Sequence, residues 1–310
     1  MKNVLFLLTL LFFPSFMHGV ESYRPEISVA GFIPLQGSGR QIYNFNPGWR
    51  YYKGDVQGAE SVSFDDSAWE IVSTPHTVEL MPAEASGCRN YQGIVWYRKR
   101  FVIPAETKGQ NVSIHFEAVM GKQSVYLNGK LVKEHLGGYL PFSINLTENG
   151  VHAGDSCLIA VLADNSDDKT FPPGKRQYTL DFAYHGGIYR DVRLEVKEKV
   201  SLSDIFVHTA IDFRSSPVTA QITSEITLTE SDENVTIRQY YMPKSTAAGQ
   251  GSWNLLCEQT VSADTNCDKE IALTAAITDP LLWDTEEANL YILKTQLYQD
   301  NTLLDETETT

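Results

Sequence analysis

Residues 124–132, "SVYLNGKLV", set Asn128 and Gly129 between two runs in which apolar and polar residues alternate. Strand side chains point to opposite faces in turn, and an Asn-Gly pair suits the two positive φ angles of a type I′ turn. The stretch therefore predicts a β-hairpin. The same period recurs in "WYRKRFVI" (96–103), "VSIHFEAV" (112–119), "SCLIAVLA" (156–163) and "IYRDVRLEV" (188–196), with Gly, Pro, Asn and Asp between the runs. Long amphipathic helical patterns are scarce. Strands at this density predict an all-β chain that begins with a β-sandwich.

A second set of alternating runs follows Lys199: "SLSDIFVHTAI", "TAQITSEITLT", "NVTIRQYYM", "WNLLCEQTV", "KEIALTAAI" and "LYILKTQLYQ". Their extent approaches the ~100 residues of an immunoglobulin-like sandwich. The chain divides on this reading into a leader (1–20), a first sandwich (21–198) and a second (199–310), with the boundary near 197–203. No repeat or low-complexity linker separates the sandwiches, so they are expected to abut with limited freedom.

The leader has Lys2 at its start, an almost wholly apolar run from Val4 to Phe13, and the small residues Ser15 and Gly19 beyond it. It predicts a cleaved secretory signal and an exported protein, periplasmic or extracellular, because the apolar run is shorter than the roughly 20 residues that span a bilayer. No membrane span is expected after cleavage. The 310 residues carry 25 Lys and Arg against 39 Asp and Glu, a net charge of -14, which disfavours a nucleic-acid partner. In an oxidising compartment Cys257 and Cys267 would close a short disulfide loop if their strands are neighbours, whereas Cys88 and Cys157 suit buried positions. No Cys-x-x-Cys or His-x-x-x-His spacing points to zinc, and no cofactor is expected.

The search for chemistry returns mostly exclusions. There is no Gly-x-Ser-x-Gly elbow, phosphate loop or His-Glu-x-x-His pair, and "GSGR" (37–40) lacks both the last glycine and the βαβ unit of a dinucleotide fingerprint. Asp164, Ser166 and Asp168 alternate as calcium-loop ligands do, but Lys169 stands where that loop needs glycine, so a solvated acidic loop is the better reading. The histidines His76, His115, His135, His185 and His208 read as packing or hydrogen-bonding groups, and Trp69 and Trp96 as core. Residues 164–187 have no strand period. A segment of that length without regular structure is functional or disordered, and Phe171, Tyr178, Phe182 and Tyr184 favour an ordered surface. In "YHGGIYRDVRL" (184–194) Arg190 falls on the parity of Ile188, Val192, Leu194 and Val196, so it either reaches solvent at the strand mouth or pairs with a carboxylate.

"FDDSAWEIVSTPHT" (64–77), "GIVWYRKRFVIP" (93–104), "VYLNGKLVKEHLGGYLPFSINLT" (125–147) and "YHGGIYRDVRL" occur in this order and resemble the signatures of the amino-terminal sugar-binding domain of glycoside hydrolase family 2. "DPLLWDTEEANLYILKTQLYQ" (279–299) resembles the family's immunoglobulin-like second domain. The resemblance implies a jelly-roll, galactose-binding-like sandwich at 21–198 and an immunoglobulin-like sandwich at 199–310. It also implies a β-linked oligosaccharide or glycan as partner, and leaves room for a homo-oligomer in the full-length enzyme. The family's catalytic glutamates belong to a TIM barrel that this chain is expected to lack, so no catalytic residue is assigned. Asp164 and Asn165, in the long loop, would meet a sugar hydroxyl, with Asn90 as a further candidate; Arg190 would pair with an acidic neighbour at the sandwich edge. The function implied is the non-catalytic amino-terminal portion of a β-galactosidase-like enzyme, the alternatives being a stand-alone carbohydrate-binding module or an extracellular adhesion or scaffold protein.

Overall fold

The computed structural model describes residues 26–27, 39–80, 90–180, 182, 185–229, 231–244, 252–262 and 269–310; the leader, Cys88, Tyr184 and Cys267 lie outside them. The strands of the first sandwich are β1 (Glu26–Ile27), β2 (Gln41–Asn44), β3 (Trp49–Lys53), β4 (Glu70–Val72), β5 (Ile94–Val102), β6 (Asn111–Phe116), β7 (Lys122–Leu127), β8 (Lys130–Leu136), β9 (Phe142–Asn145), β10 (Ser156–Asp164) and β11 (Val192–Lys197). They form a five-stranded sheet, β1-β2-β11-β6-β9, and a six-stranded sheet, β4-β3-β5-β10-β7-β8. The hairpin read from the sequence joins β7 to β8. Asn128 and Gly129 take φ of 51° and 85°, and Asn128 Oδ1 accepts the Leu158 amide at 2.8 Å.

Between the two sheets lies an aromatic core. Trp49 is fully buried; its indole nitrogen donates to the Phe45 carbonyl at 3.1 Å, and its ring meets Phe45 and Tyr97 edge-on at 5.8 and 6.4 Å. Edge-to-face pairs of this kind add to what area burial alone contributes. Strand β5 is buried on both faces. Val95, Tyr97, Lys99 and Phe101 point into the core, while Trp96 and Arg98 face the segment 54–69, which packs Ala59, Phe64 and Trp69 over them. Both Trp69 and Trp96 are thus core residues, as the sequence suggested. Arg98 is held by Asp66 at 2.7 Å, and the same carboxylate takes Arg100 at 2.7 Å, so the buried cation is paired as its burial demands.

The second sandwich contains β12 (Leu202–Asp212), β13 (Thr219–Leu228), β14 (Val235–Pro243), β15 (Asn254–Val261), β16 (Lys269–Thr278), β17 (Tyr291–Gln299) and β18 (Thr302–Thr309). A three-stranded sheet, β12-β13-β16, packs on a four-stranded one, β15-β14-β17-β18. Its core is aliphatic, built around Leu202, Ile226, Leu228, Ile237, Leu273 and Leu297. Every described strand pairing in the chain is antiparallel. Among the described residues the only helical elements are two short 3-10 turns, and no helix is long and apolar enough to cross a membrane.

Two expectations need correction. Strand β11 begins at Val192 rather than Ile188, because the backbone of 186–188 bonds elsewhere: Gly186, Gly187 and Ile188 carbonyls accept from Val78, Met120 and His76 at 3.2, 3.0 and 2.8 Å. Arg190 therefore escapes the strand parity. It is exposed, stands over the Tyr189 ring at 5.8 Å, and has no carboxylate partner among the described residues. Cys257 carries a free thiol, its Sγ 3.5 Å from Gln239 Oε1; the pairing weighed for it involves Cys267, which lies outside the described residues. Cys157 is buried, as its sequence context suggested.

Candidate functional site

At one end of the first sandwich β10 stops at Asp164, which is paired across the sheet with Ile94 at the start of β5 and Lys122 at the start of β7. The chain can leave the sheet there only because Gly121 lies beneath it. A Cβ on Gly121 would fall on the Asp164 carbonyl, and its φ of +95° also favours glycine. The two adjacent glycines upstream of β11 have a similar explanation: a Cβ on Gly186 would lie 2.6 Å from Asn165 Nδ2, and one on Gly187 would strike the Tyr97 hydroxyl. Both are required for close approach, and Gly187, at φ of +92°, for the turn as well.

The three residues selected from the sequence gather at this end, with different environments. Asp164 is half-buried; its Oδ1 accepts the Ser166 amide at 2.9 Å, and its other carboxylate oxygen has no hydrogen-bond partner among the described residues. Asn165 is buried, and both ends of its amide are engaged. Its Oδ1 accepts from Gly93 N at 2.9 Å and its Nδ2 donates to the Tyr91 carbonyl at 2.7 Å. Asn90 is also buried, and its Oδ1 accepts the Tyr91 amide at 2.7 Å while Nδ2 lies 3.5 Å from His185 Nδ1. Asn165 and Asn90 hold the 90–93 segment in place. Of the three, Asp164 alone is only half-buried and keeps a carboxylate oxygen that no described residue bonds.

Polar side chains fix the long loop to this end. Gln177, 2% exposed, accepts the Asn90 amide at 3.1 Å. Asp167 Oδ1 accepts from Gln92 Nε2 at 2.6 Å and from Gln177 N at 2.9 Å. Asp168 takes Lys122 at 2.5 Å and Thr170 N at 2.8 Å. These contacts, the lysine first, hold the Asp168 carboxyl below the usual carboxylate range. No group of three potential metal ligands occurs among the described residues. Tyr91 stays protonated, since burial raises its pKa; it donates to the Ile94 carbonyl at 2.8 Å with Lys53 Nζ 4.5 Å from its ring centre. Tyr178 and Phe182 leave 51% and 46% of their surface exposed, so the loop that follows Asp164 also presents apolar rings to solvent. A carboxylate accepts hydroxyl hydrogens strongly, and rings suit the apolar face of a pyranose.

No sequence signal marked Gln177, Asp167 or Gln92. A buried glutamine in a loop without period resembles any solvated one until its partners are known.

Comparison with known proteins gives the class. The sequence model of the sugar-binding domain of glycosyl hydrolases family 2 matches residues 47–198, and a second model of glycosyl hydrolases family 2 matches 200–310. The chain belongs to glycosyl hydrolases family 2. It is 32% identical over 267 residues to a β-galactosidase of Thermoanaerobacter pseudethanolicus, covering 86% of this chain and 34% of the relative. With a β-glucuronidase of Formosa agariphila it shares 26% over 291 residues, 87% of this chain and 29% of the relative. A solved Bacteroides uniformis β-glucuronidase 2 superposes with a TM-score of 0.73 at 25% identity, over 87% of this chain and 32% of that one. A putative β-galactosidase from Bacteroides fragilis gives 0.73 at 26%, over 87% and 40%. The chain thus spans about a third of the length of the curated relatives it matches.

Proposed function

We propose that these residues form the non-catalytic amino-terminal portion of an exported, β-galactosidase-like glycosidase and that Asp164 meets a hydroxyl of a terminal β-linked sugar. The observation that carries the reading is the carboxylate oxygen of half-buried Asp164 that no described residue bonds, at the start of a loop that is fixed by buried polar contacts and carries exposed rings, in a chain of this family. The 32% identity to a β-galactosidase supports the galactoside preference. In the whole enzyme a barrel domain would supply the acid/base and nucleophile glutamates, and hydrolysis would proceed with retention through a covalent glycosyl intermediate. Asn165 and Asn90 act in this reading by keeping the 90–93 segment and the loop in register.

The test has two arms. The purified 310-residue chain is expected to leave a chromogenic β-galactoside intact, and turnover would overturn the assignment. In the full-length enzyme, Asp164→Ala is expected to raise KM by roughly tenfold or more, the effect of losing a hydrogen bond to a charged group worth about 1.5–3 kcal/mol. An unchanged KM would remove Asp164 from the site. Millimolar or tighter glycan binding by the chain alone, seen by calorimetry, would instead favour a stand-alone carbohydrate-binding module. Export is checked by mass spectrometry of the protein expressed with its leader, which should lose about 20 residues from the amino terminus.

A further inference from the structure

A polar cluster far from the Asp164 loop joins the two sandwiches. In β18 the register to β17 slips, so that Leu297 faces Asp305 and Tyr298 faces Leu303. Leu304 is the extra residue of a β-bulge, a device that re-aims the side chain beside it. The side chain so aimed is Asp305, which is 0% exposed. Its two oxygens accept from Arg40 Nε at 3.0 Å and Arg40 Nη2 at 2.8 Å. They also accept the Leu202 amide at 3.0 Å and the Glu306 amide at 2.9 Å. Arg40 Nη2 in turn donates to the Leu202 carbonyl at 3.1 Å.

Three segments therefore close on one buried carboxylate. Arg40 immediately precedes β2 of the first sandwich, Leu202 opens the second, and Asp305 lies in its last strand. Gly39 completes the contact: a Cβ there would fall on the Leu304 carbonyl, the bulge residue itself. The fork of an arginine matches a carboxylate in two hydrogen bonds and so fixes an angle as well as a distance.

We propose that Arg40 and Asp305, aimed by the bulge at Leu304 and fitted by Gly39, are positioning residues that lock the first sandwich to the second as one rigid body. Domains joined without such a contact move relative to each other by default. The inference does not depend on which sugar is bound, or on whether Asp164 contacts it.

The measurement is the distance distribution between bioorthogonal spin labels at exposed positions 133 and 259, one on each sandwich, in the full 310-residue chain. A single narrow distribution is expected for the unsubstituted protein. Arg40→Met should broaden it and split one calorimetric transition into two, while the far-ultraviolet spectrum stays that of folded β-sandwiches. Arg40→Lys, which keeps the charge but loses the fork, should broaden it less. Should Arg40→Met fail to fold, Arg40→Lys and Gly39→Val carry the same comparison. Distributions identical to the unsubstituted protein in the folded variants would overturn the proposal.

Discussion

The two sandwiches share antiparallel construction but differ in what fills them. The first places Trp49, Phe45, Tyr97, Phe101 and Phe116 between a five- and a six-stranded sheet, and buries even Lys99, 1% exposed, among these rings. The Lys99 ammonium donates to the Phe45 carbonyl at 2.6 Å and lies 3.7 Å from the Phe45 ring centre, a cation–π contact in a desolvated site. The second sandwich has three and four strands around aliphatic side chains, and leaves Phe206 in β12 and Phe213 just beyond it 57% and 70% exposed. The first is a deep core that can accommodate a charge. The second is a thinner layer whose buried carboxylate, Asp305, is used to hold its neighbour.

Trp49→Ala should break this comparison most strongly, with a loss of about 3–5 kcal/mol in urea unfolding, against roughly 2–5 kcal/mol for Leu297→Ala in the second core. If the two losses reverse in rank, the aromatic cluster is not the principal store of stability. Lys99→Met comes next. Burial holds the Lys99 pKa well below the ordinary lysine value, so over the interval between the folded and unfolded pKa the unfolded chain binds more protons and stability rises with pH. The substitution should be neutral or stabilising by about 1–4 kcal/mol near neutral pH, as for other buried charges replaced by apolar groups of similar volume. It should also flatten the rise in urea midpoint between neutral pH and about pH 10, where tyrosine ionisation begins to intervene. A midpoint that rises equally in both proteins would count against a strained ammonium. Arg190→Ala should have the smallest effect, within about 0.5 kcal/mol, because its guanidinium is exposed; a larger loss would mean that the Tyr189 contact matters to the fold.

The sequence made some of this legible for physical reasons. Strands β5, β7, β10 and the six runs after Lys199 announced themselves because half-buried strands alternate, and the Asn128-Gly129 turn because few other pairs tolerate its φ angles. Strands β2, β3, β4, β9 and β18 were not singled out. The strand Glu70–Val72 is too short for a period to be seen, and Thr302–Thr309 reads as an acidic, threonine-rich tail until its bulge turns Asp305 inward. The alternation in 96–103 does not mark Lys99 as a core residue, because charge usually lies on the solvent face. Asp164, Asn165 and Asn90 could be picked as a group from the family resemblance, but not sorted: only contacts reveal that both asparagine oxygens accept backbone amides while the aspartate keeps an oxygen that no described residue bonds.

The hairpin after residue 124 has one more implication. Strand β8 is the outer member of its sheet, where an unpaired row of amides and carbonyls could recruit another chain. Exposed Lys130, Lys133 and Glu134 line it, and an irregular step opposite Val125 and Tyr126 distorts the ribbon. Charge and distortion of this kind are the features that discourage one sheet edge from propagating into another.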